Sequence, residues 1–140
     1  MPHLSLPDKL KPLLRPKQIK VVYGGRGSGK SQSFADLFLM QAETGRHRIG
    51  CFRELQNSIK DSVHSLLVAE YKRMELGLYS HTEQGIKHAH GGEFIFKGLS
   101  RNPDAVKSTH GMTRAWVEEA QSVSDESLKQ LIPTVREPGS

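Results

Sequence analysis

Gly24-Gly25-Arg26-Gly27-Ser28-Gly29-Lys30-Ser31 decides how the rest of this chain is read. The segment fits the pattern G-x-x-x-x-G-K-[ST] at every fixed position: Gly24, Gly29, Lys30 and Ser31. Glycines let the backbone wrap tightly enough for its N–H groups to converge on phosphate oxygens. The lysine adds a point charge for the β- and γ-phosphates, and the serine hydroxyl is placed to ligate Mg2+. A helix that starts here adds its N-terminal dipole to the same anion site.

The flanks fit the motif. Ile19-Lys20-Val21-Val22-Tyr23 reads as a buried strand rich in β-branched residues. A helix is expected over 31–43, with apolar Phe34, Leu37, Phe38 and Met40 near helical spacing and Gly45 as its C-terminal cap. A strand is expected over 48–53. The next helix is expected to be capped by Asn57 or Ser58, with Ile59, Val63, Leu66, Leu67, Tyr71 and Met74 as its core face. Lys60, Asp61, Glu70, Lys72 and Glu75 are assigned to its solvated face. A β-hairpin is expected over 86–90 and 93–97, turned at Gly91-Gly92. A turn or short helix over 102–108, a strand over 113–117 and a helix over 125–131 complete the reading. Strands alternating with helices after a phosphate loop predict an α/β layered fold with a mainly parallel central sheet.

Composition narrows the function classes. At 140 residues the chain is read as one domain, 1–140. A hydrophobic content of 36% and a charged content of 25% describe a rather polar globular protein. The net charge of +5 suits a polyanionic partner, although the lysines and arginines are scattered and form no basic tail. With Cys51 as the single cysteine, an intrachain disulfide framework and a cysteine-based zinc site are excluded. Cys51 itself reads as a small buried side chain of the 48–53 strand. No stretch approaches the roughly 20 apolar residues of a membrane span, and the proline-broken N-terminal segment lacks a signal-peptide core, so an intracellular location is expected. His81, His88 and His90 surround the expected hairpin without an acidic or thiol residue at metal-ligand spacing. They are read as exposed structural histidines.

A phosphate loop needs a second half before it can hydrolyse a nucleotide. Mg2+ needs a carboxylate at the end of a neighbouring strand, and water needs a base. Arg114-Ala115-Trp116-Val117-Glu118-Glu119 offers both: an apolar strand followed at its carboxyl end by two acids. Open α/β sheets bind ligands at that end of their strands. Glu118 is therefore the candidate metal carboxylate alongside Ser31, and Glu119 the candidate base for the attacking water. Arg26, inside the loop, is a candidate for offsetting charge on the γ-phosphate.

The loop GGRGSGKS, the segments CFRELQNSIKDSV and EFIFKGLSRNPDAVKS, and the strand WVEEA together resemble the ATPase domain of tailed-bacteriophage terminase large subunits, over about Leu10 to Ser140. The resemblance implies a P-loop NTPase fold and an ATP-dependent motor that drives double-stranded DNA into a capsid through the portal protein. It implies a homo-oligomeric ring, commonly of five subunits, working with a small terminase subunit in the host cytoplasm. By analogy Lys30 and Ser31 bind Mg-ATP, Arg26 is the loop arginine, Glu118 the metal carboxylate and Glu119 the catalytic carboxylate. Arg53 and Arg101 are candidates for an arginine acting in a neighbour's site. Family members continue into a coupling strand and a nuclease domain. Residues 1–140 are thus expected to be the ATPase portion, partial and without nuclease activity. Alternative readings of the same residues are a helicase-like DNA-dependent ATPase, a small-molecule kinase, or a nucleotide-binding remnant without turnover.

Overall fold

A computed structural model describes residues 30–53, 60–98, 111–118 and 131, except for the side chains of residues 60 and 61. The expected 19–23 strand, the turn over 102–108 and nearly all of the 125–131 helix lie outside those residues. Helix α1 (Lys30–Thr44) buries Ser33, Ala35, Asp36, Leu37, Phe38, Leu39 and Ala42. That band is wider than a surface helix needs, so α1 is packed on more than one side. The chain leaves α1 through Gly45 without a left-handed turn, since the left-handed glycines among the described residues are Gly91 and Gly111.

Strand β1 (Arg48–Arg53) follows and is an interior strand of the sheet, paired on both sides. Ile49, Gly50, Cys51 and Phe52 are all buried, as expected for a strand covered on both faces. A π-helical turn (Lys60–His64) leads into helix α2 (Ser65–Arg73). This helix ends in a Schellman arrangement, in which Leu76 N–H donates to Tyr71 C=O at 2.9 Å and Glu75 N–H to Lys72 C=O at 3.1 Å. Glu75 takes the left-handed position there, with φ of 56°. Strands β2 (Tyr79–His81), β3 (Gly85–His88), β4 (Glu93–Gly98) and β5 (Arg114–Val117) complete the described elements.

The strand order is β2-β3-β4-β1-β5. β1 runs parallel to β4 and to β5, whereas β2–β3 and β3–β4 are antiparallel. The fold is α/β, and its described sheet is mixed rather than mainly parallel. The antiparallel half has a local cause, because short connections between β2, β3 and β4 force neighbouring strands to reverse. Gly91, at φ of 105°, supplies the positive angle that the β3–β4 turn needs.

Period-two alternation splits the core between the faces of the sheet. On one face Phe96, Cys51 and Trp116 lie side by side in register and pack with Phe38, Leu39, Leu67 and Tyr71 of the helices. On the other, Phe52, Met112 and Leu131 cluster with Ile95, Ala115 and Val117. Gly50 points into this second cluster. A Cβ there would lie 2.4 Å from Met112 Sδ and 2.5 Å from the Phe52 ring, so glycine is needed for the close approach.

Candidate functional site

Register brings the carboxyl ends of the parallel strands to one edge. Arg53 lies opposite Gly98, and Phe52 opposite Val117. Glu118 continues this ladder by one bond, its N–H donating to Phe52 C=O at 2.9 Å. Its backbone is therefore held by the sheet although it lies just past β5. Strand alternation puts Trp116 and Glu118 on the same face, the one covered by α1.

The start of α1 meets that carboxylate. Ser31 Oγ donates a 2.9 Å hydrogen bond to Glu118 Oε1, joining positions far apart in the chain. Lys30 is the first residue of α1 and is half-buried. Four of the sequence-predicted site residues, Lys30, Ser31, Arg53 and Glu118, are thus described, and Ser31 and Glu118 touch. Gly24, Gly25, Arg26, Gly27, Ser28, Gly29, Glu119 and Arg101 lie outside the described residues.

Aromatic packing one turn behind the site fixes this meeting. Trp116 packs against both Phe34 and Phe38, with ring centroids 5.9 and 5.7 Å away, and the two phenylalanines are 6.3 Å apart. Ser31, Phe34 and Phe38 share a helix face through i, i+3 and i+7 spacing. Trp116 and Glu118 share a strand face. The aromatic contact therefore sets both the distance and the rotation at which Ser31 presents its hydroxyl to Glu118. Helical spacing made Phe34 and Phe38 legible as core, but no local signal paired them with Trp116.

Cys51 lies below the site in register with Trp116 and is fully buried. Burial pushes its thiol well up, and the Glu118 carboxylate adds to the effect. The protonated thiol is a poor nucleophile, in accord with its expected packing role. Arg53 ends β1 at the same edge, and its Nη1 donates to Ser62 Oγ of the π-helical turn at 3.0 Å.

The histidines depart from expectation. His88 is 4% exposed, not a surface residue. Its Nε2 bonds Glu43 Oε2 at 2.9 Å, its Nδ1 accepts from the His90 N–H at 3.1 Å, and Tyr79 packs edge-on at 4.8 Å. His81 and His90 are exposed as expected. Among the described residues no group of three or more His, Cys, Asp or Glu is placed to hold a metal ion. Glu70 also departs: it is 5% exposed rather than solvated, because Arg73 on the same helix folds back to it. No helix among the described residues is long and apolar enough to cross a membrane.

A serine hydroxyl and a carboxylate converging at the carboxyl edge are hard oxygen donors of the kind Mg2+ takes. The chain is 29% identical over 120 residues to the PBSX phage terminase large subunit of Bacillus subtilis (strain 168); the match covers 82% of this chain and 27% of that protein, so the chain spans about a quarter of the relative's length. The sequence pattern of the phage terminase large subunit family matches residues 16–140, and with nearly the whole chain covered, this protein belongs to that family.

Proposed function

We propose that residues 1–140 form a P-loop ATPase domain that powers the packaging of double-stranded phage DNA, with ATP as substrate and Mg2+ as cofactor. The observation that carries this reading is the bond between Ser31 Oγ and Glu118 Oε1. It joins the last residue of a phosphate-loop sequence to the first acid beyond a parallel strand. Chance glycine-rich turns have no reason to end against such a carboxylate.

In this reading the loop Gly24–Ser31 wraps the phosphates with backbone N–H groups, and Lys30 neutralises the β- and γ-phosphates. Ser31 and Glu118 hold Mg2+, which when bound supplies charge compensation for the phosphate oxygens. Glu119, next along the chain, takes a proton from the attacking water. Arg26 faces the charge that builds on the γ-phosphate. Arg53, which bonds Ser62, and Arg101 are both candidates for an arginine acting in a neighbour's site. Partners in this reading are double-stranded DNA, the portal protein and the small terminase subunit, with the chain in a homo-oligomeric, pentameric ring in the host cytoplasm. Endonuclease activity is not assigned to these residues.

The test is Mg-ATP hydrolysis by the chain beside Lys30→Ala and Glu119→Gln, with and without double-stranded DNA. Lys30→Ala should lose ATP affinity. Glu119→Gln should keep it and lose about 10²–10⁴-fold in turnover. Unchanged affinity in the first variant would remove the loop assignment, and wild-type turnover in the second would move the base elsewhere.

A further inference from the structure

Asp36 of α1 and Glu70 of α2 are two acids withdrawn from solvent, 4% and 5% exposed. One guanidinium serves both. Arg73 Nη2 donates to Asp36 Oδ2 at 3.1 Å, and Arg73 Nε donates to Glu70 Oε2 at 2.8 Å. The remaining oxygens, Asp36 Oδ1 and Glu70 Oε1, are buried and have no hydrogen-bond partner among the described residues. Fully ionised, the trio would carry one uncompensated negative charge and two buried acceptors without donors, and both features are costly. Their bonds to the one guanidinium hold the two carboxyl groups side by side. A single proton between them cancels the excess charge and turns one orphaned oxygen into a donor for the other.

We propose that Asp36 and Glu70 share one proton beneath Arg73, forming a pH-sensitive latch between the phosphate-loop helix and α2. This inference rests on the packing of the two helices and is independent of the nucleotide reading. Among the described residues, the charged groups that face Asp36 are Glu70 and Arg73, both from α2. Burial and then the Glu70 carboxyl push Asp36 up to about 6, against a lowering by Arg73. The folded chain therefore holds this proton more tightly than the unfolded chain, whose Asp36 titrates near the ordinary 3.8. The stabilisation is complete below the unfolded value and is lost as pH rises through about 6. Above that, the latch holds two like charges under one cation, and α1 is less firmly held against α2.

The experiment has two arms. The first follows the Asp36 carboxyl carbon of the wild-type chain by ¹³C NMR between pH 3 and 8. A midpoint near 6 is expected, and one near 4 overturns the proposal. The second compares urea unfolding of the wild type with Asp36→Asn, which offers Glu70 an N–H donor at every pH. The folding equilibrium of the wild type relative to the variant should fall by on the order of a hundredfold between pH 4 and 7. A pH-independent difference overturns the proposal. If Asp36→Asn does not fold, Glu70→Gln should show the same relative loss, and the ¹³C titration stands without any variant.

Discussion

The two ends of α1 are held by different chemistry. At the C-terminal end, polar groups are committed to internal partners. Tyr79 Oη donates to Leu39 C=O at 2.6 Å, and Glu43 bonds the buried His88 at 2.9 Å. Burial pushes the Tyr79 phenol up, with Glu43 adding to it, so the hydroxyl stays a donor. At the N-terminal end the anchor is apolar and set back by one turn, in the stack of Phe34, Trp116 and Phe38. A polar contact there, the bond between Ser31 and Glu118, lies at the rim. A structural end can use its hydrogen-bonding groups for cohesion. In the proposed function the N-terminal end handles a ligand and must keep such groups exchangeable, which suits cohesion by hydrophobic contact one turn behind.

That contrast can be broken at its strongest point. Trp116→Ala should cost about 3–5 kcal/mol in urea unfolding and uncouple Ser31 from Glu118, because a large buried ring is lost from the anchor. At the opposite end, Tyr79→Phe should cost about 1–2 kcal/mol by the same measurement, since it removes a buried hydrogen bond but keeps the ring against His88. Tyr79→Phe proving costlier than Trp116→Ala would reverse the assignment of which end depends on apolar anchoring. Ser31→Ala should cost about 1 kcal/mol, the value of one half-buried bond. A loss as large as that of Trp116→Ala would show that the rim bond, not the stack, holds the helix start. The smallest change lies away from both ends. Glu75→Gly should raise stability by about 0.5–1 kcal/mol, because glycine adopts the left-handed angle at the end of α2 without strain.

Much of this arrangement was legible in the sequence, for local reasons. α1 announced itself by helical spacing behind a glycine-rich loop, β1 by a continuous apolar run, and the β3–β4 hairpin by Gly91-Gly92. Ser31 and Glu118 were both named from motif logic, and the structure brings them together. What escaped was set by partners distant in sequence. Tyr79–His81 carries no alternation of its own and becomes a strand by pairing with β3. Glu70 read as solvated because its spacing fitted the polar face, whereas Arg73 and Asp36 enclose it. His88 read as exposed because its partner Glu43 lies on another element. The antiparallel half of the described sheet followed from the expected hairpin, and the expected 19–23 strand lies outside the described residues.

Cys51 turns the interior strand β1 into a clock. It is the only thiol in the chain, fully buried in β1 between Phe96 and Trp116, and burial holds it in the unreactive protonated form. An alkylating reagent reaches its sulfur only when the covering helices lift or the strands part. The labelling rate of this one atom therefore counts how often the core behind the Ser31–Glu118 contact opens, with no background from any other cysteine.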